Sequence, residues 1–298
     1  MNKGILNGIA AYALWGFFPI YWKLLHEVPA LQLLGHRIAW SFLLLLVVII
    51  ITRQWDDFRS KLDARAFGIY LIAALLVAVN WLTYVWAVNE DFIVETSLGY
   101  FINPLLSVLM GVIFLRERLR LTQWIPVLLA ALGVIYLTFV YGRLPWIALL
   151  LAFTFGFYGL VKKLAPLNSL YGLTFETGIL FLPAVLYLGI VQANNTAAFL
   201  HSNLTLDLLM IGAGLVTTVP LLMFASAAKQ IPLSMIGVLQ YLAPSIQFLI
   251  GIFVYKEVFD NSRLIGFALV WLALVIFWAE NYLANRVSVK PIPEMGEG

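Results

Sequence analysis

Apolar residues fall in ten long runs along the chain, separated by short polar or proline-bearing links. The runs cover about 4–25, 31–52, 66–88, 92–115, 121–141, 144–163, 169–191, 206–228, 231–255 and 263–283. Each is close to the roughly 20 residues that a helix needs to cross a hydrocarbon core about 30 Å thick. A helix satisfies its backbone hydrogen bonds within its own segment, as lipid requires. The pattern therefore predicts an all-α membrane protein with ten transmembrane helices. Val28-Pro29 separates the first two spans, and Gly142-Arg143 with Pro145 separates the fifth and sixth. The longest links, near 53–65 and 192–205, are too short for a soluble domain. The first run exceeds a signal-peptide core and holds Tyr12, Trp15, Pro19 and Tyr21, so it reads as a retained span.

Lysine and arginine set the expected orientation. With the N-terminus in the cytoplasm, the inside segments hold Lys3, Arg53, Arg59, Lys61, Arg65, Arg116, Arg118, Arg120, Lys162, Lys163, Lys229, Arg286 and Lys290. The outside segments hold Lys23, Arg143, Lys256 and Arg263. This bias of 13 to 4 predicts that both termini are cytoplasmic.

The chain also aligns with itself at a shift of 140. Trp15-Gly16-Phe17 then meets Phe155-Gly156-Phe157, Lys23 meets Lys163, Pro104 meets Pro244, Gly111 meets Gly251 and Glu117 meets Glu257. Five spans per copy is an odd number, so the second copy must enter the membrane upside down. The expected architecture is two inverted five-helix repeats, residues 1–141 and 142–285, followed by a polar tail over 286–298. Inverted repeats give two near-equivalent conformations open to opposite sides, the geometry of alternating access.

Composition narrows the function classes. Hydrophobic residues make up 63% and charged residues 11%, against roughly 45–50% and 25% in soluble domains. Such an inventory cannot clothe a water-soluble surface, which excludes a cytosolic enzyme and a nucleic-acid binder. Cysteine is absent, so there is no disulfide, thiolate metal site or thiol nucleophile. His26, His36 and His201 are too scattered for a metal cluster. No cofactor or metal is expected. The chain also lacks Walker A, HExxH and GxSxG sequences.

Several stretches resemble a known family: AAYALWGFFPIYWK at 10–23, HRIAWS at 36–41, NWLTYVWAVN at 80–89, ETSLGYFINPLLSVLMGVIFLRERLRLTQW at 95–124, FGFYGLVKK at 155–163, TTVPLL at 217–222 and QYLAP at 240–244. The chain resembles the drug/metabolite transporter superfamily, and within it the EamA-type permeases of the RarD group. The resemblance runs over nearly the whole chain. It implies ten spans in two repeats, residence in the bacterial inner membrane, and export or exchange of small metabolites.

Arg37 is the most informative polar position. It sits about six residues into the second span, roughly 9 Å deep at 1.5 Å per residue. An ionisable residue there faces a bundle interior or a water-filled cavity, or snorkels to the headgroups. It could hold a carboxylate or phosphate in a bidentate fork, with Glu95 at comparable depth as a partner. His36 is a second candidate for binding or proton relay, with packing as the alternative. Glu176, at the position of His36 in the second repeat, is a candidate proton-coupling carboxylate, as is Glu95. Pro104 and Pro244 lie mid-span and should kink their helices, freeing carbonyls near the midplane. Around them stand Tyr100, Asn103, Gln240, Tyr241 and Gln247. Trp15, Tyr12, Tyr84, Trp81 and Tyr158 are candidate aromatic walls, and Asn80 could donate hydrogen bonds to cargo.

The expected function is a secondary transporter of small organic metabolites, such as amino acids or related compounds, working by alternating access. Its outward direction comes from the resemblance alone. The alternatives are a transporter of phosphate-bearing sugars or nucleotides, an intramembrane lipid-handling enzyme, and a non-transporting structural subunit. The expected partners are a small-molecule substrate and the lipid bilayer, with a homodimer left open and nucleic acid excluded.

Overall fold

The computed structural model describes residues 2–89, 93–141 and 145–255, with 265, 268–269, 271–273, 275–277 and 279–280 beyond them. Glu257, the side chain of Glu95 and much of the 263–283 run lie outside the described residues. The described elements are helices: α1 (Lys3–Lys23), α2 (Ala30–Ile51), α3 (Trp55–Ser60), α4 (Ala64–Asn89), α5 (Ile93–Leu115), α6 (Leu121–Tyr141), α7 (Trp146–Leu164), α8 (Ser169–Ala193), α9 (Leu204–Gln230), α10 (Leu233–Gln240) and α11 (Leu242–Phe253). Among the described residues, six stretches are long and apolar enough to cross a membrane: Lys3–Lys23, Ala30–Ile51, Ala64–Tyr84, Trp146–Leu164, Ser169–Ala193 and Leu204–Gln230. Shorter apolar stretches occupy Gly99–Leu115 and Leu121–Tyr136. The chain is a multi-pass α-helical membrane protein.

Local chemistry explains where helices start. Asn2, Asn168 and Asn203 cap α1, α8 and α9, accepting from the backbone N–H of Gly4, Tyr171 and Leu206. Asp63 does the same for α4 through Ala66 N at 2.6 Å. Pro29, Pro145 and Pro232 precede α2, α7 and α10, where the preceding chain must stay extended. Helix ends are closed by lysines of other helices. Lys163 of α7 donates to Ala228 O and Ile231 O at the end of α9, at 3.1 and 2.7 Å. In return, Lys229 of α9 donates to Ala165 O and Leu167 O just beyond α7. Each ammonium satisfies carbonyls that a helix end leaves unpaired.

Two features depart from the expected pattern. The run at 231–255 is two helices, broken at Tyr241. Pro244 has no N–H to bond Gln240 O, and the chain tightens through Tyr241 N to Val238 O at 3.3 Å. Its counterpart Pro104 lies within a continuous α5. The link at 53–65 contains the short α3, docked on the start of α8. The Tyr171 hydroxyl lies 2.9 Å from Gln54 Oε1 and 2.8 Å from Asp57 Oδ2. Hydrogen bonds from Lys61 and Tyr171 hold the Asp57 carboxyl below its usual range.

The chain gathers into two compact units, residues 1–117 with 144–258, and 118–143 with 259–298. In the second unit, Arg120 and Thr122 at the start of α6 grip the Glu280 carboxylate, with Arg120 Nε at 3.0 Å and Thr122 Oγ1 at 2.7 Å. In the first unit, α5 packs along α7, α1 along α9 and α11, and α4 along α7 and α8. Helix α2 lies against both α8 and α9, and α10 crosses α5. Water does not drive helices together within lipid, so close backbone approach matters more. At Gly214 of α9 a Cβ would lie 2.5 Å from Trp40 Cβ and 2.6 Å from the Trp40 carbonyl carbon. The bare backbone there lets α2 and α9 touch, and Ser41 Oγ donates to Gly214 O at 3.1 Å. Gly237 plays the same part where α10 meets Pro104 O of α5.

The end of α5 also holds α10. Arg116 takes a left-handed φ of 54°, and Glu117 N returns to Gly111 O at 3.0 Å. The Glu117 carboxylate thereby reaches Leu233 N at 2.7 Å, Ser234 N at 3.0 Å and Ser234 Oγ at 2.7 Å. It acts as an N-cap supplied from the segment that follows α5.

Candidate solute cavity

The first unit encloses a cavity of about 260 Å³. Helix α1 contributes Tyr12, Trp15, Phe18, Pro19 and Trp22; α2 contributes Arg37; and α4 contributes Asn80, Trp81 and Tyr84. Helix α5 adds Gly99, Tyr100 and Asn103, α7 adds Leu151 and Phe155, and α9 adds Thr217 and Leu221. The break between α10 and α11 supplies Gln240, Ala243, Pro244 and Gln247. Eight of the twenty lining residues are aromatic, and Arg37 is the one cation among them.

The guanidinium of Arg37 is held without a carboxylate. Its Nε donates to Thr217 Oγ1 at 3.0 Å, and its central carbon lies 4.7 Å from the ring of Trp22 and 4.7 Å from that of Trp81. Two rings within cation–π range steady a charge that is out of bulk water. Among the described residues no acid pairs with it. The expected partner, the Glu95 side chain, lies outside the described residues.

Three of the lining amides are tied into the walls. Both amide hydrogens of Asn80 are taken up by α7, through Leu151 O at 2.8 Å and Thr154 Oγ1 at 2.9 Å. Asn80 therefore has its carbonyl oxygen, not its N–H groups, left for a solute, contrary to the donor role the sequence suggested. Gln240 Oε1 accepts from Ser107 at 3.0 Å, and Gln247 donates to Trp15 O at 3.1 Å. The Asn103 Oδ1 atom is buried with no partner. Trp15 meets Phe155 edge-on at 5.9 Å, and Tyr84 meets Tyr100 at 6.0 Å.

Of the residues singled out from sequence, Trp15, Arg37, Asn80, Tyr84, Tyr100, Asn103, Gln240 and Pro244 come together here. His36, Tyr158, Tyr241, Glu176 and Pro104 are not among the lining residues. His36 packs its ring 4.8 Å from Phe199, in the link before α9. The Tyr241 hydroxyl donates to Phe101 O at 3.3 Å. Glu176 is 1% exposed and paired with Lys162 Nζ at 2.6 Å, with the Tyr158 hydroxyl donating at 3.0 Å. Sequence reasoning missed Lys162 and Trp22, and it offered Trp81 as a wall without placing it beside Arg37.

Comparison with known proteins agrees with this picture. The EamA-like transporter family matches residues 2–139. The uncharacterized transporter YojE of Bacillus subtilis is 46% identical over 292 residues, covering 96% of this chain and 97% of that one. Protein RarD of Escherichia coli K12 is 42% identical over 290 residues, covering 97% and 98%. The chain belongs to the RarD-type permeases of the EamA family. As a RarD-type permease it is a membrane transporter and not an enzyme. A solved crystal structure aligns with a TM-score of 0.68 at 16% identity, covering 96% of this permease and 99% of that chain. That likeness speaks for the fold alone.

Proposed function

We propose that the chain is a secondary transporter that moves small organic metabolites, such as amino acids or related compounds, outward across the bacterial inner membrane by alternating access. The observation that carries this reading is the cavity itself. Both halves of the chain line it, with Trp15 from the first meeting Phe155 from the second, and it holds a guanidinium with no protein anion described beside it.

The packing supports ten spans in two inverted five-helix repeats, 1–141 and 142–285. Under the shift of 140, the pair α5 and α7 exchanges with α1 and the α10–α11 span, α1 and α9 with α4 and α7, and α2 and α9 with α4 and α8. The pairs α2 with α8 and α5 with α10 map onto themselves. Trp15 and Phe155, and Phe101 and Tyr241, touch although each pair is 140 positions apart. With both termini cytoplasmic, the lining residues lie near the midplane and outward of it. The Lys162–Glu176 pair and the Glu117 clamp then lie towards the cytoplasmic side. Solute would bind Arg37 and the aromatic walls. Proton coupling through Glu95 or Glu176 is part of the reading, although the engaged state of Glu176 favours a bracing role.

Cargo bearing phosphate is the weaker alternative, because a phosphate dianion calls for more than one cation. The test is counterflow by the purified full-length chain in liposomes, followed by mass spectrometry of a metabolite library. Exchange above protein-free vesicles, with no chemical product, is expected; its absence for every solute sinks the reading. The topology has its own check, made simple by the lack of native cysteine. Single cysteines at Arg118 and Val258 should be labelled by a membrane-impermeant thiol reagent from opposite sides. Labelling of both from one side would remove the inverted repeat.

A further inference from the structure

We infer that the cavity carries a hydrogen-bond acceptor subsite centred on Asn103 Oδ1, which takes an N–H or O–H donor of the solute, such as the ammonium of an amino acid or the hydroxyl of a hydroxy acid. This rests on the transport reading above and deepens it, by naming the group that distinguishes cargo from donor-free compounds of the same charge and body.

A side-chain amide has a donor end and an acceptor end, so the end that a wall consumes decides which end a solute meets. Asn80 spends both N–H groups on α7, at Leu151 O and Thr154 Oγ1, which leaves its Oδ1. Gln247 likewise turns an N–H into the wall, at Trp15 O. Gln240 is the opposite case, with its Oε1 taken by Ser107 Oγ. Asn103 lies one turn of α5 before Ser107; it is 8% exposed, and its Oδ1 has no partner. All four amides line the cavity.

A buried acceptor without a donor carries a free-energy cost, which a donor arriving with the solute removes. The backbone leans the same way. Pro104 and Pro244 have no N–H for Tyr100 O and Gln240 O, and both of those residues line the cavity. Tyr100 and Gln240 are 140 positions apart, so each half of the chain contributes one such residue. Neutral oxygens serve a hydroxyl and an ammonium alike, and an ammonium brings three donors. A compound with no N–H or O–H leaves Asn103 Oδ1 unpaired once the cavity closes and water is gone. A cavity of about 260 Å³ walled by Trp15, Tyr84 and Phe155 suits a body about the size of one aromatic ring with a short chain.

The test uses two pairs of probes, each matched in charge and sharing a benzyl body and a carboxylate: L-3-phenyllactate against 3-phenylpropanoate, and L-phenylalanine against its N,N,N-trimethyl derivative. Because charge is matched, neither Arg37 nor an acid near it separates the members of a pair. Binding to the purified full-length chain is measured by calorimetry at pH 7.5. In each pair the member with a donor is expected to bind roughly tenfold or more tighter. Asn103→Leu, close in size but unable to accept, should cut that ratio to about threefold or less in both pairs. Where this variant does not purify as a single folded species, Asn103→Ala is read in the same way. Failure of both variants to fold makes Asn103 a packing residue and overturns the inference. So do no binding by any probe, equal binding within either pair, tighter binding of a donor-free member, and a ratio that survives the substitution. Counterflow across the metabolite panel is run beside it. Exchange of some solute with no discrimination within the pairs leaves transport standing; no exchange of any solute removes the reading on which the subsite rests.

Discussion

Arg37→Ala is expected to lower counterflow by roughly 30-fold or more at sub-saturating concentration, measured with the panel solute that the unaltered protein carries. Truncating one partner of a desolvated charge pair typically costs about 2–5 kcal/mol, and each 1.4 kcal/mol is a factor of ten. The melting temperature of the purified protein should move little. No described carboxylate is orphaned by the change; the losses are one hydrogen bond to Thr217 and two ring contacts. Normal flux with a large drop in melting temperature would instead make Arg37 a packing residue.

The second large effect lies at the other charged group inside the bundle. Lys162 and Glu176 are 2% and 1% exposed and 2.6 Å apart. Removing one member of a buried ion pair leaves a lone charge and typically costs about 3–5 kcal/mol. Lys162→Met should therefore lower the melting temperature by roughly 10 °C, taking a few degrees per kcal/mol for a chain of this size. The double variant Lys162→Met with Glu176→Met removes both charges, and should regain most of that loss. It also separates two roles for Glu176. A brace predicts a stable double variant that still accumulates solute under a pH gradient; a proton carrier predicts a stable one that does not.

Much of this fold is legible in the sequence, because lipid makes hydrophobic run length a direct record of helix length. Helices α1, α2, α4, α5, α6, α7, α8 and α9 begin and end within about two residues of the apolar runs. The break at Tyr241 was only half legible. Pro104 and Pro244 read alike, yet α5 continues through its proline and the later span divides. The cavity was legible where a residue is costly to place in lipid, as with Arg37, Asn80 and Asn103. It was not legible where one side chain settles another. Lys162 and Lys163 read as a pair of interfacial lysines in the orientation count. Lys163 does close a helix end, but Lys162 turns inward to Glu176. Its four-carbon stem lets a residue two positions from the end of α7 reach one seven positions into α8. Matching depths across that short turn could have found the pair. Tyr158 was similarly misplaced, since a tyrosine that supports a buried carboxylate looks the same in sequence as one that faces a solute.

The clamp at the start of α10 bears on how such a molecule moves in time. Leu233 N, Ser234 N and Ser234 Oγ share one acceptor group, and that group is Glu117, just beyond the end of α5. Parting the two helices strips all three donors together, because no acceptor on α10 itself takes over. Such a contact does not stretch by degrees; it holds and then releases.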